Sequence, residues 1–253
     1  MSTDITRAEV CVAACSDAWK GSGEVLAHAV GLVPTISARL AKLTHSPDLV
    51  LTDGECFLMA EPPPLGRSAA AGGTIESWAP FRLIFDILAT GKRHSMMGAS
   101  QVDRFGNQNI SSIGDWRKPK RQLIGVRGAP GNTVNHRTDY WIAKHSSRVF
   151  VESVDVVSGV GNDRARKHGT PSLRFHDLGV VVTDLAVLDY DDEGRLKVRS
   201  LHPGVTAEQV QEATGFDIDV SSATTTRVPD AEELRLIREV LDPRSLRDRE
   251  VRV

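Results

Sequence analysis

Apolar residues recur at the three- and four-residue spacing of an amphipathic helix in several stretches of the chain. Capping-box sequences at Thr6-Arg7-Ala8-Glu9 and Thr206-Ala207-Glu208-Gln209 predict where two of these helices begin. The other predicted helices begin near Pro34, span Pro80–Thr90 with Gly91 as the C-cap, and begin at Asp230-Ala231-Glu232-Glu233. The residues predicted to face inward are Val10, Cys11, Ala14, Cys15 and Ala18, then Ile36, Leu40 and Leu43, then Phe81, Ile84, Phe85 and Leu88, and finally Leu234, Ile237 and Leu241.

Short apolar runs between these helices predict strands. Asp48-Leu49-Val50-Leu51 indicates a buried strand that ends in a turn at Thr52-Asp53-Gly54. Arg148–Val157 and Gly179–Leu188 predict two more strands, and Asp191–Arg199 predicts a turn into a hairpin. Because strands alternate with helices, we expect an α/β fold in which a sheet lies between helix layers.

The domain organisation predicted from the sequence is simple. No repeat, low-complexity linker or clear boundary divides the chain, so residues 1–253 are expected to form a single domain. The stretch of about residues 243–253 is densely charged. It is expected either to fray or to lie along a partner.

The composition excludes several classes of function. The 253 residues are 40% hydrophobic and 25% charged, and 31 basic against 33 acidic residues give a net charge of −2. Such a balance gives no electrostatic case for binding nucleic acid or an anionic membrane. No apolar run approaches the roughly 20 residues that cross a bilayer, and residues 1–9 carry no apolar signal core. Three cysteines are too few for a disulfide framework, so a cytoplasmic location is expected.

Two features that resemble metal or nucleotide sites have simpler interpretations. Cys11 and Cys15 lie one helical turn apart, but no neighbouring His or Cys pair completes a ligand set, so core packing is favoured and no metal is expected. Val157-Ser158-Gly159-Val160-Gly161 follows a predicted strand as a dinucleotide loop would. It lacks the third glycine, which favours a tight turn over nucleotide binding.

Residues 98–114 form the densest run of small and polar side chains in the chain. Amides and carboxylates need partners when they are buried, so this segment is expected to be a loop that lines a cleft. Asp103 is favoured as a loop-shaping residue. Gln101, Asn107 and Asn109 are expected either to shape the loop or to touch a substrate.

Two glycine-containing segments are also candidates for a role in binding. Val126–Thr133 could expose the N–H groups of Gly128 and Gly131 to an oxyanion or a thioester carbonyl, or it could be an ordinary Pro-Gly turn. Leu201-His202-Pro203-Gly204-Val205-Thr206 joins a strand to a capped helix, and a structural corner is favoured there.

Three stretches taken together resemble a known family. Their order and spacing, from Gly98–Asn109 through Gly125–Asn132 to Leu201–Phe216, are similar to the beta subunit of the family I coenzyme A transferases, of the glutaconate-transferase type. The resemblance implies a three-layer α/β/α sandwich with a Rossmann-like, mostly parallel sheet. It also implies pairing with a homologous alpha subunit, as a heterodimer or an α2β2 assembly, and an acyl-coenzyme A substrate at the junction of the subunits.

The sequence departs from that family where the nucleophile is expected. A transferase beta subunit carries a glutamate in a Ser-Glu-Asn-Gly-like turn, and its carboxylate attacks the thioester. Here the strand end is Leu51-Thr52-Asp53-Gly54-Glu55, with Asp53 at the place of the glutamate and Glu55 two positions later. Covalent transfer depends on positioning within about 1 Å, so the shorter side chain counts against it.

One branch of the family shares this Thr-Asp-Gly-Glu turn. It also shares Met97-Gly98-Ala99 through Asn109 and the segment Asp242–Glu250. That branch is similar to the beta subunit of hydrolases that open the last steroid rings in cholesterol catabolism by a retro-Claisen cleavage of a cyclic keto-acyl coenzyme A. The resemblance implies that the main catalytic glutamate lies on the alpha subunit.

The sequence therefore supports one principal hypothesis and two alternatives. The principal hypothesis is the beta subunit of a ring-opening coenzyme A-thioester hydrolase without a permanently bound cofactor, coenzyme A being part of the substrate. The alternatives are a true coenzyme A transferase subunit and a non-catalytic scaffold for the alpha subunit. The candidate catalytic residues are Asp53 and Glu55, and the candidate substrate-binding residues are Gln101, Asn107, Asn109, Gly128, Gly131 and Asn132.

Overall fold

The computed structural model describes residues 4–54, 56–62, 65, 73–170 and 174–251. The chain divides into two compact units, the first formed by residues 1–96 and 227–253 and the second by residues 97–226. The sequence shows no linker at either boundary.

The first unit contains a parallel strand pair, a small antiparallel sheet and helices. Its elements up to residue 97 are α1 (Arg7–Asp17), β1 (Leu26–Ala29), α2 (Leu32–Leu43), β2 (Leu51–Thr52), β3 (Phe57–Met59), β4 (Ile75–Trp78), α3 (Leu83–Asp86) and β5 (Arg93–Met97). Strands β1 and β5 pair in parallel, with Leu26 opposite Arg93 and Ala29 opposite Met96. Strands β2, β3 and β4 form a three-stranded antiparallel sheet.

The predicted starts of α1 and α2 are accurate to within two residues. The capping box of α1 is formed, with the Thr6 N–H donating to Glu9 Oε2 at 2.9 Å and the Glu9 N–H donating to Thr6 Oγ1 at 3.3 Å. The predicted inward residues of α1 are buried, as are Ile36 and Leu40 of α2. Leu43 is 42% exposed because it is the last residue of α2, so its predicted burial was wrong.

The helix predicted over Pro80–Thr90 is shorter than expected. Only the four-residue helix α3 and a 3-10 turn at Leu88–Thr90 form, followed by Gly91 at φ 73° as the predicted terminator. Phe81 is 70% exposed and Phe85 49% exposed, so their predicted inward orientation was wrong. An amphipathic pattern identifies an apolar face without identifying what covers it.

The buried strand predicted at residues 48–51, with a turn after it, forms as the first strand of a hairpin but is shorter and begins later. Only Leu51–Thr52 is in a regular strand, paired with β3 so that Leu51 lies opposite Met59. Leu49 is fully buried, and Val50 makes an isolated parallel bridge to Leu26. The turn at Thr52-Asp53-Gly54 is therefore the tip of a short β-hairpin.

The second unit is built on a mixed sheet with the strand order β10-β11-β12-β13-β14. Its elements are β6 (Gln101–Val102), β7 (Gln108–Asn109), β8 (Ser112–Ile113), β9 (Arg121–Gln122), α4 (Ala129–Asn135), β10 (Arg137–Ile142), α5 (Asn162–His168), β11 (Asp177–Thr183), β12 (Ala186–Tyr190), β13 (Leu196–Leu201), α6 (Ala207–Ala213) and β14 (Thr224–Thr225). Strands β10–β11 and β13–β14 are parallel, whereas β11, β12 and β13 form an antiparallel meander. The α/β class predicted from the sequence is confirmed.

Two strand predictions in this unit need correction. Arg148–Val157 forms no regular strand, and within it Phe150 makes a single bridge to Val102 while its side chain lies in the core. Gly179–Leu188 is two strands and not one. The chain turns between them because Thr183 Oγ1 accepts hydrogen bonds from the N–H groups of Leu185 and Ala186, each at 3.0 Å.

Other local predictions in the second unit are confirmed. The hairpin between β12 and β13 closes through Asp191 Oδ1, which accepts from the N–H groups of Glu193 at 2.9 Å and Arg195 at 2.8 Å. Thr206 and Gln209 form the predicted capping box of α6.

The C-terminal segment returns to the first unit and packs there. Helix α7 (Ala231–Arg235) continues as a π-helical turn at Leu236–Leu241, in which Ile237 and Leu241 are buried as predicted, and a 3-10 turn follows at Leu246–Arg249. The Glu250 carboxylate accepts from the N–H groups of Leu32 at 2.8 Å and Val33 at 3.0 Å, which caps α2. The prediction of a frayed tail is wrong as far as residue 251, because Arg247 and Glu250 have partners within the unit. Contact of this segment with a partner subunit stays a prediction.

Glu9 is the centre of an ion-pair network that joins α1 to this C-terminal segment. Its Oε1 lies 2.7 Å from Arg238 Nε and 3.0 Å from Arg247 Nη2, and Arg247 also pairs with Asp242 at 3.0 Å. Burial by itself would raise the pKa of Glu9, but the hydrogen bonds from Arg238 and Thr6 and the charge of Arg247 outweigh it. The pKa of Glu9 is therefore lowered.

We predict that Glu9→Gln lowers the free energy of unfolding by about 3 kcal/mol, because it leaves buried Arg247 with an incomplete set of charged partners. Glutamine preserves the capping box, so the loss isolates the ion pairs. Glu232→Gln is the control, since the Glu232–Arg235 pair is solvent-exposed and such pairs contribute below about 1 kcal/mol. Urea denaturation measures both variants, and equal effects would contradict the prediction.

We also predict a pH dependence for the same network. A carboxyl group whose pKa is lowered on folding stabilises the protein above its unfolded pKa of 4.5 and loses that contribution as the pH falls through the folded value. The stability difference between wild type and Glu9→Gln should therefore be full at neutral pH and shrink in acid. Denaturation curves across the acidic range test this, and a difference that grows on acidification would refute it.

Candidate functional site

A cavity in the first unit lies beside the hairpin turn that the sequence marks as a candidate site. It encloses about 340 Å³ and is lined by residues of β1, α2, the β2–β3 hairpin and α3. Its polar side chains include those of His28, Thr35, Arg39 and Thr52, and its apolar lining includes Leu26, Leu51, Leu58, Leu83 and Ile84. Such a mixture of apolar walls and a few polar groups is typical of a small-molecule site.

Asp53, the first predicted catalytic residue, uses its carboxylate to close the turn. It is 8% exposed, and its Oδ1 accepts from the N–H groups of Cys56 and Phe57, each at 3.0 Å. This Asx-type arrangement is the local bonding that short acidic side chains favour in turns. Glu55, the second predicted catalytic residue, lies outside the described residues.

Arg39 is a residue of this cavity that the sequence analysis missed. It lies on α2, is 7% exposed, and its Nη1 has no hydrogen-bond partner. Burial lowers the pKa of the Arg39 guanidinium to about 10, so the group stays positively charged at neutral pH. The one signal in the sequence is that this arginine falls three residues after buried Ile36, on the apolar stripe of the helix.

His28 and Arg93 add further polar groups near the cavity. Arg93 Nη2 donates to His28 Nδ1 at 2.6 Å, and its Nη1 donates to the carbonyl of Ile84 at 3.3 Å. Because Arg93 can only donate, His28 Nδ1 is the acceptor and the ring proton is assigned to Nε2. Burial lowers the pKa of Arg93 to about 10. The sequence did not reveal this contact, because the two residues are 65 positions apart and meet only where strands β1 and β5 pair.

The polar run at residues 98–114 lies in the second unit and is largely buried. Asn109 Nδ2 donates to Gln101 Oε1 and to the Ser112 carbonyl, each at 2.7 Å, and Gln101 Nε2 donates to Asp155 at 3.1 Å. Both amides are thus bonded within the chain, and a cleft-lining position stays a prediction for them. Their hydrogen bonds show the loop-shaping role that the sequence left open, and a contact with substrate stays a prediction.

Asp103 and Asn107 hold the tight turn in the same segment. Asp103 Oδ1 accepts from the N–H groups of Phe105 and Asn107, each at 3.0 Å, and Asn107 Nδ2 donates to Asp103 Oδ2 and to Asp163 Oδ1, each at 2.9 Å. Burial raises the pKa of Asp103. The favoured loop-shaping role of Asp103 is confirmed by these bonds.

The glycine segment around residue 130 is helical and not an open loop. Gly128 precedes α4, and Gly131 and Asn132 lie within it. The Gly128 N–H donates to the Gly125 carbonyl and the Gly131 N–H to the Gly128 carbonyl, each at 3.2 Å. Asn132 is 4% exposed and lies 3.1 Å from Met97 Sδ. Both N–H groups are therefore occupied in this structure, and oxyanion binding by this segment stays a prediction.

The glycine segment Val157–Gly161 and the corner at Leu201–Thr206 are both explained by packing and hydrogen bonds within the fold. A Cβ added to Gly161 would lie 2.5 Å from the Asn107 backbone nitrogen, so close packing explains that glycine. His202 is buried between Thr226 Oγ1 at 3.0 Å and the Thr183 carbonyl at 2.8 Å, in agreement with a structural corner.

Two features of the described part of the chain bear on the type of site. No group of three or more His, Cys, Asp or Glu side chains there could hold a metal ion. None of the helices described there has both the length and the apolar character needed to cross a membrane.

Comparison with known proteins gives consistent matches over most or nearly all of the chain. The Coenzyme A transferase family model matches residues 21–213. The cholesterol ring-cleaving hydrolase IpdB subunit of Rhodococcus jostii is 53% identical over 253 residues, covering 99% of this chain and 98% of that protein. A 3-oxoadipate CoA-transferase subunit of Pseudomonas knackmussii is 36% identical over 226 residues, 86% of each chain.

A solved structure also matches nearly the whole chain. A chain of the crystal structure of Rhodococcus jostii IpdAB superposes with a TM-score of 0.94 at 52% identity, covering 99% of this chain and 100% of that chain.

We predict that Asp53→Ala lowers the free energy of unfolding by about 2 kcal/mol, because two backbone N–H groups of the turn lose their acceptor. Asp53→Asn retains an oxygen at the same position and should lose less than about half as much. Chemical denaturation of the full chain measures both. Equal losses would show that the charge of Asp53, and not its acceptor oxygen, holds the turn.

Proposed function

This chain belongs to the coenzyme A transferase family, and on that premise we propose that it is the beta subunit of a hydrolase that opens a ring of a coenzyme A thioester in steroid breakdown. Membership of the family and its type of fold, both expected from the motifs, are confirmed. The observation that carries the proposal is the 53% identity to a cholesterol ring-cleaving hydrolase subunit over nearly the full length of both chains.

The proposed chemistry does not require an acyl-accepting carboxylate on this chain. Water adds its oxygen to a ring carbonyl carbon, and the adjacent carbon–carbon bond breaks. The electron pair of that bond stays on the departing carbon as an enolate, which takes a proton as the new carboxylate forms. A carboxylate that moves protons is sufficient for such a step. We propose that the principal glutamate belongs to the alpha subunit.

The bonding of Asp53 supports hydrolysis over transfer. Its Oδ1 accepts from the Cys56 and Phe57 N–H groups, each at 3.0 Å, which holds the carboxylate in its own turn. Two accepted hydrogen bonds also reduce the nucleophilicity of a carboxylate. We assign Asp53 a positioning role in the hairpin turn, whose neighbouring residues Thr52, Gly54 and Cys56 line the cavity.

The partner in this proposal is a homologous alpha subunit, in a heterodimer or an α2β2 assembly. The first unit exposes large apolar side chains at Ile75, Trp78, Phe81 and Phe85, with Trp78 67% exposed and Phe81 70% exposed. Exposed aromatic groups close together along the chain are typical of a surface that another protein covers. The chemistry uses no permanently bound cofactor, and we place it in the cytoplasm, as three cysteines cannot supply a disulfide framework.

A transferase remains the second candidate, because the chain is also 36% identical to a transferase subunit over 226 residues. Transfer would form a covalent thioester between coenzyme A and a carboxylate of this chain, at Asp53 or Glu55. That intermediate is open to trapping by hydroxylamine or borohydride.

We predict that the chain, co-purified with its alpha partner, opens a cyclic keto-acyl coenzyme A and incorporates oxygen from labelled water into the new carboxylate. Hydroxylamine should modify no carboxylate of this chain during turnover, and Asp53→Asn should retain activity within about tenfold. Mass spectrometry follows both product and protein.

Three other outcomes separate the alternatives. Unchanged ring thioester in an intact complex would reject the hydrolase. A hydroxamate on Asp53 or Glu55 would establish transfer. If variants of Asp53, Glu55 and Asn132 all assemble with the alpha partner and keep full activity, this chain has only an architectural role.

A further inference from the structure

Arg39 differs from the other buried arginines in the described parts of the chain. Arg247 is 4% exposed and pairs with Glu9 and Asp242, and Arg93, also 4% exposed, donates to His28 and Ile84. Arg93 and Arg247 each leave Nε without a partner, but their other nitrogens are bonded. Arg39 is 7% exposed, its Nη1 is buried without a partner, and no described residue forms a hydrogen bond or ion pair with its guanidinium. A buried cation without a partner destabilises a fold, so its presence calls for an anion from outside the unit.

The residues around Arg39 indicate the chemical class of the molecule that carries this anion. The cavity encloses about 340 Å³, and apolar residues such as Leu26, Leu58 and Ile84 dominate its walls. Among its described lining residues none is acidic. A diphosphate, which is strongly hydrated and needs many donors, does not match such walls. An aliphatic ring that carries a single carboxylate does match them.

A second donor lies in the same cavity. His28 lines it, and because its Nδ1 accepts from Arg93 Nη2 at 2.6 Å, its Nε2 carries the ring proton. Arg39 offers a planar set of N–H groups suited to a carboxylate, and the imidazole of His28 is a second polar group of the same cavity.

We propose that this cavity is a carboxylate-binding subsite for the acyl part of the substrate, in which Arg39 binds the carboxylate and the apolar walls hold an aliphatic ring. The inference rests on the proposed function for the identity of the acyl group. Two sources give the same chemistry: a carboxylate already on the substrate, or the carboxylate that ring opening creates.

The binding test needs no turnover. We expect cyclohexanecarboxylate to bind the full-length chain, and Arg39→Met to weaken that binding by about 10- to 100-fold, the size of a lost hydrogen bond to a charged group. Cyclohexanecarboxamide, which has the same shape and no charge, should bind wild type and variant equally. Calorimetry of the chain with each compound measures this. A carboxylate affinity unchanged in Arg39→Met would overturn the proposal.

A stability test separates ligand binding from a structural role. Methionine fills similar space without charge, so Arg39→Met should leave the unfolding midpoint unchanged or raise it, as removing strained functional groups often does. Arg247→Met is the matched control, and it should lower the midpoint because Arg247 has buried acidic partners. If both variants lower the midpoint equally, Arg39 is structural and the proposal fails.

The complex with the alpha partner distinguishes the two sources of carboxylate. A raised KM with unchanged kcat in Arg39→Met indicates a carboxylate carried by the substrate, and a lowered kcat indicates one formed in the reaction. Loss of assembly with unchanged cyclohexanecarboxylate binding would assign Arg39 to an acidic group of the partner and overturn the proposal. Carboxylate binding that depends on Arg39, in a complex without ring hydrolysis, would reject the proposed function and leave the subsite standing.

Discussion

The buried carboxylate of Glu9 joins the two ends of the first unit. Glu9 caps its own helix through Thr6 and accepts from Arg238 and Arg247, which come more than two hundred residues later in the sequence. Arg247 is held in turn by Asp242, and three residues further on Glu250 caps α2. Because burying one of these charges alone is costly, the groups are stable only together. The C-terminal segment is therefore part of the scaffold that places α2.

The position of α2 matters because that helix carries Arg39 into the cavity. Every charge in the Glu9 network has a partner within the unit, whereas Arg39 Nη1 has none. The same unit thus contains a buried network of paired charges and a buried cation whose Nη1 is unpaired. A functional group can remain unpaired in a stable fold when surrounding interactions compensate for it.

Local interactions account for what the sequence predicted well. The capping boxes at Thr6 and Thr206 and the Asp191 turn depend on residues a few positions apart, so their patterns are visible in the sequence. The docking of Glu250 on α2 and the contact of Arg93 with His28 join distant segments, and no local pattern encodes them. Phe81 shows a third case, since its apolar pattern was recognised and its exposure was not. The burial of Asn109 was missed because a polar run can satisfy itself internally.

The turn at Asp53 connects this folding argument to chemistry. The family resemblance places a nucleophilic glutamate at that position, and aspartate is shorter by one methylene group. That length lets its Oδ1 reach the N–H groups of Cys56 and Phe57 in its own turn, each at 3.0 Å. A glutamate carboxylate extends one bond further and is not the side chain that forms such Asx turns. The shorter side chain thus fits a carboxylate that is bonded within the hairpin. Arg39 lines the cavity next to this turn, so the same unit places a buried positive charge beside the hairpin that the resemblance marks as reactive.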